Sequence, residues 1–406
     1  MDRRTLLKLM AASSLMAAAP LGKDNSKLKI VVVGAGIIGA SIAYHLAKAG
    51  VRVTIIDQEA PASHASRGTF AWINATWPKQ PQAYHTLNQE SVANWHDLQK
   101  ALNLSIEWGG SIEWFGSEER QLKLAAQIEE QKLWGEPAQM LGTNKLEVLE
   151  PQIDFSSAKI AAYSPNDGAI DPVFATKAFL DTAIELGAEV KYPCRLRDVV
   201  MEGGRLQAVK TTKGTIETDR LVLATGASPN AGQKFAGINI PQRTTPGIIA
   251  ITKKLPRILS RVVAAPGVNM HQRRDGRIVI GEQEGAPQNT AHKVRLKGRP
   301  NQYPNKKLAQ DHAARMIAIA ERFLPAIAGA DVDDIYIGWR PLPIDGHPVI
   351  GASPERSDVY MAVMHSGVSL APIVGQLATY EIITGDKLEK LNSYRPDRDF
   401  KDGNRY

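Results

Sequence analysis

Arg340 lies in the apolar segment GWRPLPIDGHPVIG, where a proline follows it directly and an Asp-Gly turn comes shortly after. Burial removes the water that stabilises a guanidinium, so an unpaired charge in such a stretch is costly. The planar fork of arginine suits a carboxylate or a phosphate, which it binds through two parallel charge-assisted hydrogen bonds. The segment therefore predicts an anionic partner for Arg340, whether a substrate, an internal acid or the edge of a cofactor.

A second chemical signal lies near the start of the chain, in LKIVVVGAGIIGASIAYHLAKAGVRVTIID. Leu28–Val33 is typical of a strand buried on both faces, a GxGxxG motif and a helical repeat follow, and Val51–Ile56 indicates a second parallel strand. In this motif the glycines allow a tight turn, close approach of a pyrophosphate and packing of the helix on the strand. Asp57 has the spacing of an acid that binds ribose hydroxyls and would repel a 2′-phosphate, which leaves NAD and FAD open. The predicted dinucleotide contacts are Gly34, Ala35, Gly36, Ile37, Ile38, Gly39 and Asp57.

The rest of the chain favours FAD over NAD, because the alternation of strand and helix does not continue. Residues 58–77 are irregular and rich in small side chains, and helical repeats follow between Leu87 and Leu102. A crossover helix, DPVFATKAFLDTAIELGAEV, then precedes short strands with glycine turns and an apolar strand that ends in Ala-Thr-Gly. We therefore expect a nucleotide-binding domain assembled from separated segments.

The first twenty residues, MDRRTLLKLMAASSLMAAAP, have the architecture of an export signal, with a basic start, an apolar stretch and small residues at its end. The Arg3-Arg4 pair resembles a twin-arginine signal, a route that carries folded proteins. Pro20 is unusual directly after a cleavage point at Ala19, so a cleaved signal and an uncleaved membrane anchor both stay open. The prediction is a periplasmic protein, with peripheral membrane association through the N-terminus as the second alternative.

Composition argues against several other functions. The net charge is +7 without a dense Lys/Arg tract, which disfavours nucleic-acid binding. The single cysteine, Cys194, cannot form an internal disulfide or a cysteine-based metal site. The sequence offers no Ser-His-Asp or paired-carboxylate pattern, and we expect no metal site.

The sequence resembles the FAD-dependent DAO family, which includes D-amino-acid, glycine and sarcosine oxidases. The segments that carry the resemblance are VVVGAGIIGASIAYHLAKAG near the start, GWRPLPIDGHPVIG late in the chain and MHSGVSLAPIVGQL near the end. The resemblance implies an α/β fold with a Rossmann-like FAD-binding domain built from discontinuous segments, and an α+β substrate domain with a large mixed β-sheet and flanking helices. The implied boundaries are 1–22 for the export signal, 28–80, 155–235 and 335–390 for the FAD-binding domain, 81–154 and 236–334 for the substrate domain, and 391–406 for a C-terminal tail.

The resemblance also implies roles for individual residues near the flavin. Arg340 would hold a substrate carboxylate there, and His365 and His271 are further catalytic candidates, although either histidine could instead belong to the core. Ser369 is expected to be the N-cap of a helix that faces the flavin, with Pro372 in its first turn. Besides the glycine motif, the expected cofactor contacts are Gln58, Ser63, Ser66, Arg67, Ala224, Thr225, Gly226, Gly346, Gly367, Val368 and Ser369.

Two further features of the site follow from the resemblance. Non-covalent FAD is expected, because no cysteine lies near Arg340 and the residues around His64 do not match relatives that attach the flavin through a histidine. Three tryptophans are candidates for the pocket wall, although aromatic side chains are more often core residues. They are Trp72, Trp77 and Trp339.

The implied function is oxidation of the carbon–nitrogen bond of a D-amino acid, glycine or an N-methylated amino acid, by hydride transfer to flavin N5. The protein would mainly position the reactants, so no general base is required. Two alternatives stay open. One is an exported amino-acid dehydrogenase that passes electrons to a quinone or cytochrome rather than to oxygen, and the other is a non-catalytic exported binding protein on the same fold.

Overall fold

The computed structural model describes residues 25–76, 79–228, 230–283 and 300–401. The predicted export signal and Trp77 lie outside the described residues. Within these ranges the helices are α1 (Ile37–Lys48), α2 (Gln82–Ala101), α3 (Glu118–Leu133), α4 (Thr143–Leu149), α5 (Pro172–Glu185), α6 (Lys306–Glu321) and α7 (Gly367–Thr384). The strands are β1 (Lys29–Val33), β2 (Arg52–Ile56), β3 (Trp72–Ile73), β4 (Ile106–Glu107), β5 (Ser111–Glu113), β6 (Gln139–Gly142), β7 (Ile160–Ser164), β8 (Gly168–Ile170), β9 (Glu189–Lys191), β10 (Leu196–Glu202), β11 (Arg205–Thr211), β12 (Gly214–Glu217), β13 (Arg220–Leu223), β14 (Gln242–Lys254), β15 (Val262–Ala265), β16 (Val268–Gln272), β17 (Arg277–Gly281), β18 (Val332–Pro343), β19 (Val349–Ala352) and β20 (Val359–Val363).

The predicted strand–helix–strand unit lies at the centre of a six-stranded sheet with the order β19-β20-β13-β1-β2-β9. β1 pairs in parallel with β2 on one side and with β13 on the other. Ile30 and Val32 of β1 pack in one core with α1, α5 and α7, whereas Val31 packs on the opposite face with residues of the meander β10–β12. Burial on both faces explains why β1 is apolar at every central position.

A second, eight-stranded sheet has the order β18-β14-β17-β16-β15-β5-β7-β6. Its strands pair antiparallel except for β15 and β5, which are parallel. Ile248 and Ala250 of β14 belong to a core that includes buried residues of α6, and Ile249 and Ile251 lie on the opposite face against Phe70. This alternation follows from the two-residue period of a strand. The mixed α/β architecture and the large mixed sheet confirm the predicted fold class.

Three elements lie in a different part of the fold from the one that the predicted boundaries imply. β7 falls in the predicted FAD segment 155–235, yet it pairs with β5 and β6 in the eight-stranded sheet. β18 crosses the predicted boundary at residue 335, because it pairs with β14 along its whole length. α2 falls in the predicted substrate segment 81–154, but its apolar face packs in the core of the six-stranded sheet.

The predicted C-terminal tail is docked on the fold as far as it is described. Leu391 and Tyr394 are buried in the core of the six-stranded sheet. Arg398 makes a two-pronged ion pair with Asp345, at 2.7 and 3.0 Å, with both side chains nearly buried. No helix in the described ranges combines the length and the hydropathy that crossing a bilayer requires.

Candidate functional site

A cavity of about 1140 Å³ is lined by residues of both large sheets. Most of the predicted site residues line it. They are Gly34, Gly36, Ile37, Ile38, Asp57, Gln58, Ser63, His64, Ser66, Ala224, Thr225, Gly226, Arg340, His365, Gly367, Val368 and Ser369. Ala35, Gly39, Arg67, His271 and Gly346 are not part of the lining.

The glycine motif forms a bare backbone surface at one end of the cavity. Gly34 has a positive φ of 106°, and a Cβ there would overlap the carbonyl of Ala224. A Cβ at Gly39 would overlap the carbonyl of Gly34, so this residue lets α1 begin directly behind the turn. Gly36 has only the Ser66 hydroxyl near its missing side chain, at 3.2 Å, and its backbone borders the cavity. A dinucleotide pyrophosphate fits this surface at the positive end of α1.

Ser66 and Asp57 hold the same turn through side-chain hydrogen bonds. The Ile37 amide donates to Ser66 Oγ at 3.0 Å, which satisfies one of the free N–H groups at the start of α1. The Ala35 amide donates to Asp57 Oδ2 at 2.7 Å, and the Glu59 amide donates to Oδ1 at 3.0 Å. Ala35 therefore contributes to the site through its backbone, by fixing the carboxylate that faces the cavity.

The N-terminus of α7 also borders the cavity, beside Ile37 and Ile38 of the glycine motif, and the helix begins earlier than predicted. Its N-cap is Ser366, with φ 57°, and not Ser369. Ser369 lies inside the helix, where its hydroxyl accepts from the Asn74 amide and donates to the Trp72 carbonyl, both at 3.1 Å. The predicted N-cap is therefore wrong, and the serine instead ties the loop around β3 to α7.

Pro372 explains why the sequence is misleading at this helix. Proline has no amide hydrogen, so the carbonyl four residues earlier, that of Val368, loses its partner within the helix. The indole of Trp95 on α2 donates to this carbonyl at 3.0 Å. The helix therefore continues through the proline, which lies beyond its first turn.

Arg340 lies on β18, at the edge of the eight-stranded sheet, and its position depends on three glycines. Its guanidinium lies against Gly247 of β14, where a Cβ would come within 3.0 Å of Nε and 3.1 Å of Nη2. Gly338, two residues earlier, touches Gly68 backbone to backbone, because neither residue has a side chain. This contact joins the loop that follows β2 to the strand that carries Arg340. No role was predicted for any of the three glycines, although Gly338 begins the segment GWRPLPIDGHPVIG.

Two further residues line the cavity with Arg340. One is the predicted His365, and the other is Lys79, for which no role was predicted. Burial is the main cause that lowers the pKa of His365 to about 3, and the charges of Arg340 and Lys79 lower it further. His365 is therefore neutral at physiological pH. Lys79 is only 2% exposed, lines the cavity, and donates to the hydroxyl of Ser366 at 3.1 Å. A lone lysine in an irregular stretch carries no periodic signal, so only the fold reveals it.

A cation at a helix N-terminus is electrostatically unfavourable, because the free amides there already carry partial positive charge. Lys79 contacts the N-cap of α7 and acts, together with Arg340, on His365. The positive groups converge on one wall of the cavity. This wall therefore suits an anion, such as a carboxylate or the electron-rich edge of a cofactor.

Three predicted site residues lie away from the cavity. His271 is buried on β16, where Nε2 lies 3.0 Å from the Phe70 carbonyl and the Phe70 ring packs edge-on against the imidazole. Burial, chiefly, and nearby arginines lower its pKa to about 3, so it is a neutral core histidine. Arg67 turns outward, with its guanidinium over the ring of Tyr336. Gly346 makes the turn after β18, and its amide donates to the Pro343 carbonyl at 2.8 Å.

Two buried carboxyl groups lie near the part of the cavity bordered by β5, and the sequence analysis missed both. Burial, with a contribution from Asp167, raises the pKa of Glu113 to about 8. Burial, offset in part by the Ser111 hydroxyl, raises the pKa of Asp167 to about 7. The Asp167 carboxylate accepts from Ser111 at 2.6 Å, Trp72 at 3.0 Å and Thr76 at 3.2 Å. The alternation of Ser111 and Glu113 on β5 is the sequence signal that could have located this polar face.

The residues present fit a flavin dinucleotide. The cavity is continuous from the glycine motif and Asp57 to Arg340 and α7, and its volume exceeds that of most small-ligand pockets. Bare glycine backbone and a cationic wall both border it. Trp72 and Trp339 both line the cavity, as the sequence suggested.

Comparisons with known proteins agree with this geometry. The family model described as FAD dependent oxidoreductase (DAO) matches residues 29–381. The chain is 25% identical to 4-methylaminobutanoate oxidase (formaldehyde-forming) of Paenarthrobacter nicotinovorans, over 95% of this chain and 47% of that protein. It is also 25% identical to glycine oxidase of Bacillus subtilis (strain 168), over 91% of this chain and 96% of that protein.

Solved structures resemble the fold over nearly its whole length. The structure of L-proline dehydrogenase from P. horikoshii matches with a TM-score of 0.79 and 26% identity, over 91% of this chain and 97% of that one. The chain therefore spans about half the length of the 4-methylaminobutanoate oxidase and nearly all of the other two proteins.

Proposed function

The chain belongs to the FAD-dependent oxidoreductase family, its cofactor is FAD, and we propose that it oxidises the carbon–nitrogen bond of an amino acid. The observation that carries the proposal is the guanidinium of Arg340, which lines the cavity within electrostatic reach of His365. Relatives named glycine oxidase and L-proline dehydrogenase support this substrate class, since both act on amines that bear a carboxylate.

The glycine motif and Asp57 would hold the nucleotide part of FAD, and Gly367, Val368 and Ser369 would contact the flavin without a covalent bond. When bound, the flavin accepts a hydride from the substrate carbon that bears the nitrogen. The substrate is left as an imine, which water hydrolyses to a carbonyl product and an amine. The chain's own residues bind the substrate, orient it against the flavin and exclude water from the site.

Arg340 would bind the substrate carboxylate through two parallel hydrogen bonds, which fixes orientation as well as charge. His365 stays neutral because of its low pKa, so it adds a hydrogen-bonding group to this wall without a further positive charge. Lys79 and the N-terminus of α7 would stabilise negative charge on the cofactor edge that they face. Trp72 and Trp339, which both line the cavity, would exclude water from it.

The proposal is tested by mixing the FAD-loaded protein anaerobically with a panel of glycine, D- and L-amino acids and N-methylated amino acids. We expect the yellow flavin colour to bleach with one class. Arg340→Lys should raise KM by about tenfold or more while FAD stays bound, because a point charge replaces a two-pronged fork. Arg67→Lys is the matched control, since this arginine faces Tyr336 outside the cavity. A panel without any bleaching, or an Arg340→Lys variant with the wild-type KM, would contradict the proposal.

The electron acceptor is a second part of the proposal. We infer that the reduced enzyme passes its electrons either to oxygen or to a respiratory quinone or cytochrome, and relatives named oxidase and dehydrogenase support both routes. Reoxidation rates of the bleached enzyme with air and with a soluble quinone decide between them.

Export to the periplasm is supported by Arg3-Arg4 and the apolar stretch behind them. Replacement of both arginines by lysine should then abolish export.

A further inference from the structure

Glu113 is a buried acid that the proposed reaction does not use. Its side chain lines the cavity from β5, and the residue is only 6% exposed. Its carboxyl group makes no hydrogen bond with any residue that the structure describes. A buried carboxyl without a partner is costly, so a ligand group that donates hydrogen bonds is expected to meet it.

A second acceptor without a partner lies on the same face of the sheet. Glu113 pairs with Ala264 on β15, Ala264 pairs with Asn269 on β16, and Asn269 pairs with Gly281 on β17. Directly paired residues project from the same face, so Glu113 and Asn269 point to the same side, with only a methyl group between them. Asn269 lines the cavity too, and among the described residues its Oδ1 has no hydrogen-bond partner. Glu113 and Asn269 therefore border the cavity from one row, and the Oδ1 atom of Asn269 is itself buried.

Further carboxyl groups lie behind this row, and their negative charge favours a cation near Glu113. Asp167 raises the pKa of Glu113, after burial, and Glu136 in turn raises the pKa of Asp167. The histidine beside Glu136 is His85, at 3.6 Å, and burial lowers its pKa to about 4, so it is neutral at pH 7.

The charge of Arg120 acts on Glu113 and lowers the pKa of its carboxyl group, whereas burial and Asp167 raise it. Arg120 and Lys123, near the start of α3, are exposed, and the Arg120 guanidinium lies over the Phe115 ring. Lys79 donates to Ser366, and its charge also lowers the pKa of His85, the histidine beside Glu136. A cation delivered into the cavity would lie beside a buried acid, Glu113, which receives compensating charge from the exposed side chain of Arg120.

We propose that Glu113 and Asn269 form a specificity site that selects amino acids with a long cationic side chain, such as lysine, ornithine or arginine. The inference rests on the proposed function, because Arg340 must hold the carboxylate at the other end. The ammonium or guanidinium of the side chain would donate to Glu113 and Asn269, and it would satisfy both acceptors at once.

The spacing across the sheet supports a long substrate. The Arg340 guanidinium lies against Gly247 on β14, and β14, β17, β16, β15 and β5 are successive neighbours. Four strand spacings separate the backbones of β14 and β5 by about 19 Å. The side chain of Glu113 closes part of this gap, and the guanidinium of Arg340 already lies at its β14 end. Glycine is too short to bridge the remainder, whereas an extended basic amino acid presents its two charged ends in opposite directions.

A binding experiment tests the inference on the FAD-loaded protein without turnover. The charged probe is 5-guanidinopentanoate, which is arginine without its α-amine, and the matched apolar probe is heptanoate. Binding is followed by the change in the flavin absorbance spectrum at pH 8.5, which lies above the pKa of Glu113. We expect the charged probe to bind at least about tenfold more tightly than heptanoate.

Variants test whether the preference for the charged probe comes from Glu113. Glu113→Gln keeps the size of the side chain and should abolish the advantage of the charged probe, while the affinity for heptanoate stays unchanged. Glu119→Gln is the matched control, because this acid also borders the cavity but is exposed to solvent. Equal wild-type affinity for the two probes, or an undiminished preference in Glu113→Gln, would overturn the inference.

The failure of the inference and the failure of the proposed function give different results. If Arg340→Lys weakens both probes but neither is preferred by the wild type, only the specificity site is wrong. If Arg340→Lys leaves both affinities unchanged, the carboxylate anchor itself is wrong. The wild-type comparison decides the inference even where a variant does not fold.

Discussion

Enlarging Gly247 is expected to displace the Arg340 guanidinium without removing any group that could bind FAD or substrate. A Cβ at this position would lie 3.0 Å from Nε and 3.1 Å from Nη2, whereas ordinary contacts begin at 3.4 Å. The guanidinium must therefore move by a few tenths of an ångström in Gly247→Ala, and further in Gly247→Val. Because a 1 Å misplacement can cost about a hundredfold in rate, we expect kcat/KM to fall about tenfold in the alanine variant and about a hundredfold in the valine variant.

The assay is kcat/KM for the amino acid that bleaches the flavin fastest, with the FAD content measured from visible absorbance. Gly142→Ala is the matched control, since Gly142 ends β6 in the same sheet and an added Cβ there meets nothing within 4 Å. FAD content should stay at the wild-type level in every variant. A Gly247→Val enzyme with wild-type kcat/KM would refute the assignment of Arg340 as the substrate anchor.

Three further predictions follow from charged groups. Lys79→Met should lower the two-electron reduction potential of the bound flavin by about 30 mV, the equivalent of about 1.4 kcal/mol, and Lys79→Arg should restore most of it. The pKa of Glu113, raised mainly by burial from 4.5 to about 8, means that the folded protein holds this proton more tightly than the unfolded chain does. The free energy of unfolding should therefore fall as the pH rises from about 4.5 to about 8, and urea titrations of Glu113→Gln should show a shallower fall. Asp345→Ala leaves the nearly buried Arg398 without its carboxylate, and we expect a loss of about 3 kcal/mol in urea unfolding.

The features that the sequence predicted well are those with local signals. The β-branched run, the glycine spacing and the terminal acid each depend on neighbouring residues, and β1, α1 and β2 form as expected. For such elements, the local backbone preference and the tertiary fold agree.

The features that were predicted wrongly depend on distant residues. Ser369 has the residue type of an N-cap, but the helix extends past Pro372 because Trp95, 273 residues before Val368, supplies the missing donor. The sequence left His271 open between the site and the core, and Phe70 from a separate loop places it in the core. No local pattern reports either contact.

The missed residues share one property, which is that their chemistry arises only from burial. Lys79 and Glu113 are ordinary charged residues in the sequence. The fold brings the first to the N-terminus of α7 and the second to the cavity face of β5. A sheet row that joins four strands has no counterpart in any single segment of sequence.

The hydrogen bond from Trp95 to the Val368 carbonyl also constrains how this protein can evolve. If Trp95 were replaced first, the buried Val368 carbonyl would lose its hydrogen-bond donor. If Pro372 were replaced first, the new residue would supply an amide for that carbonyl and would free the indole for later change. Replacement of Pro372 before Trp95 is therefore the less costly order, and ancestral lineages with the proline should retain a donor on α2.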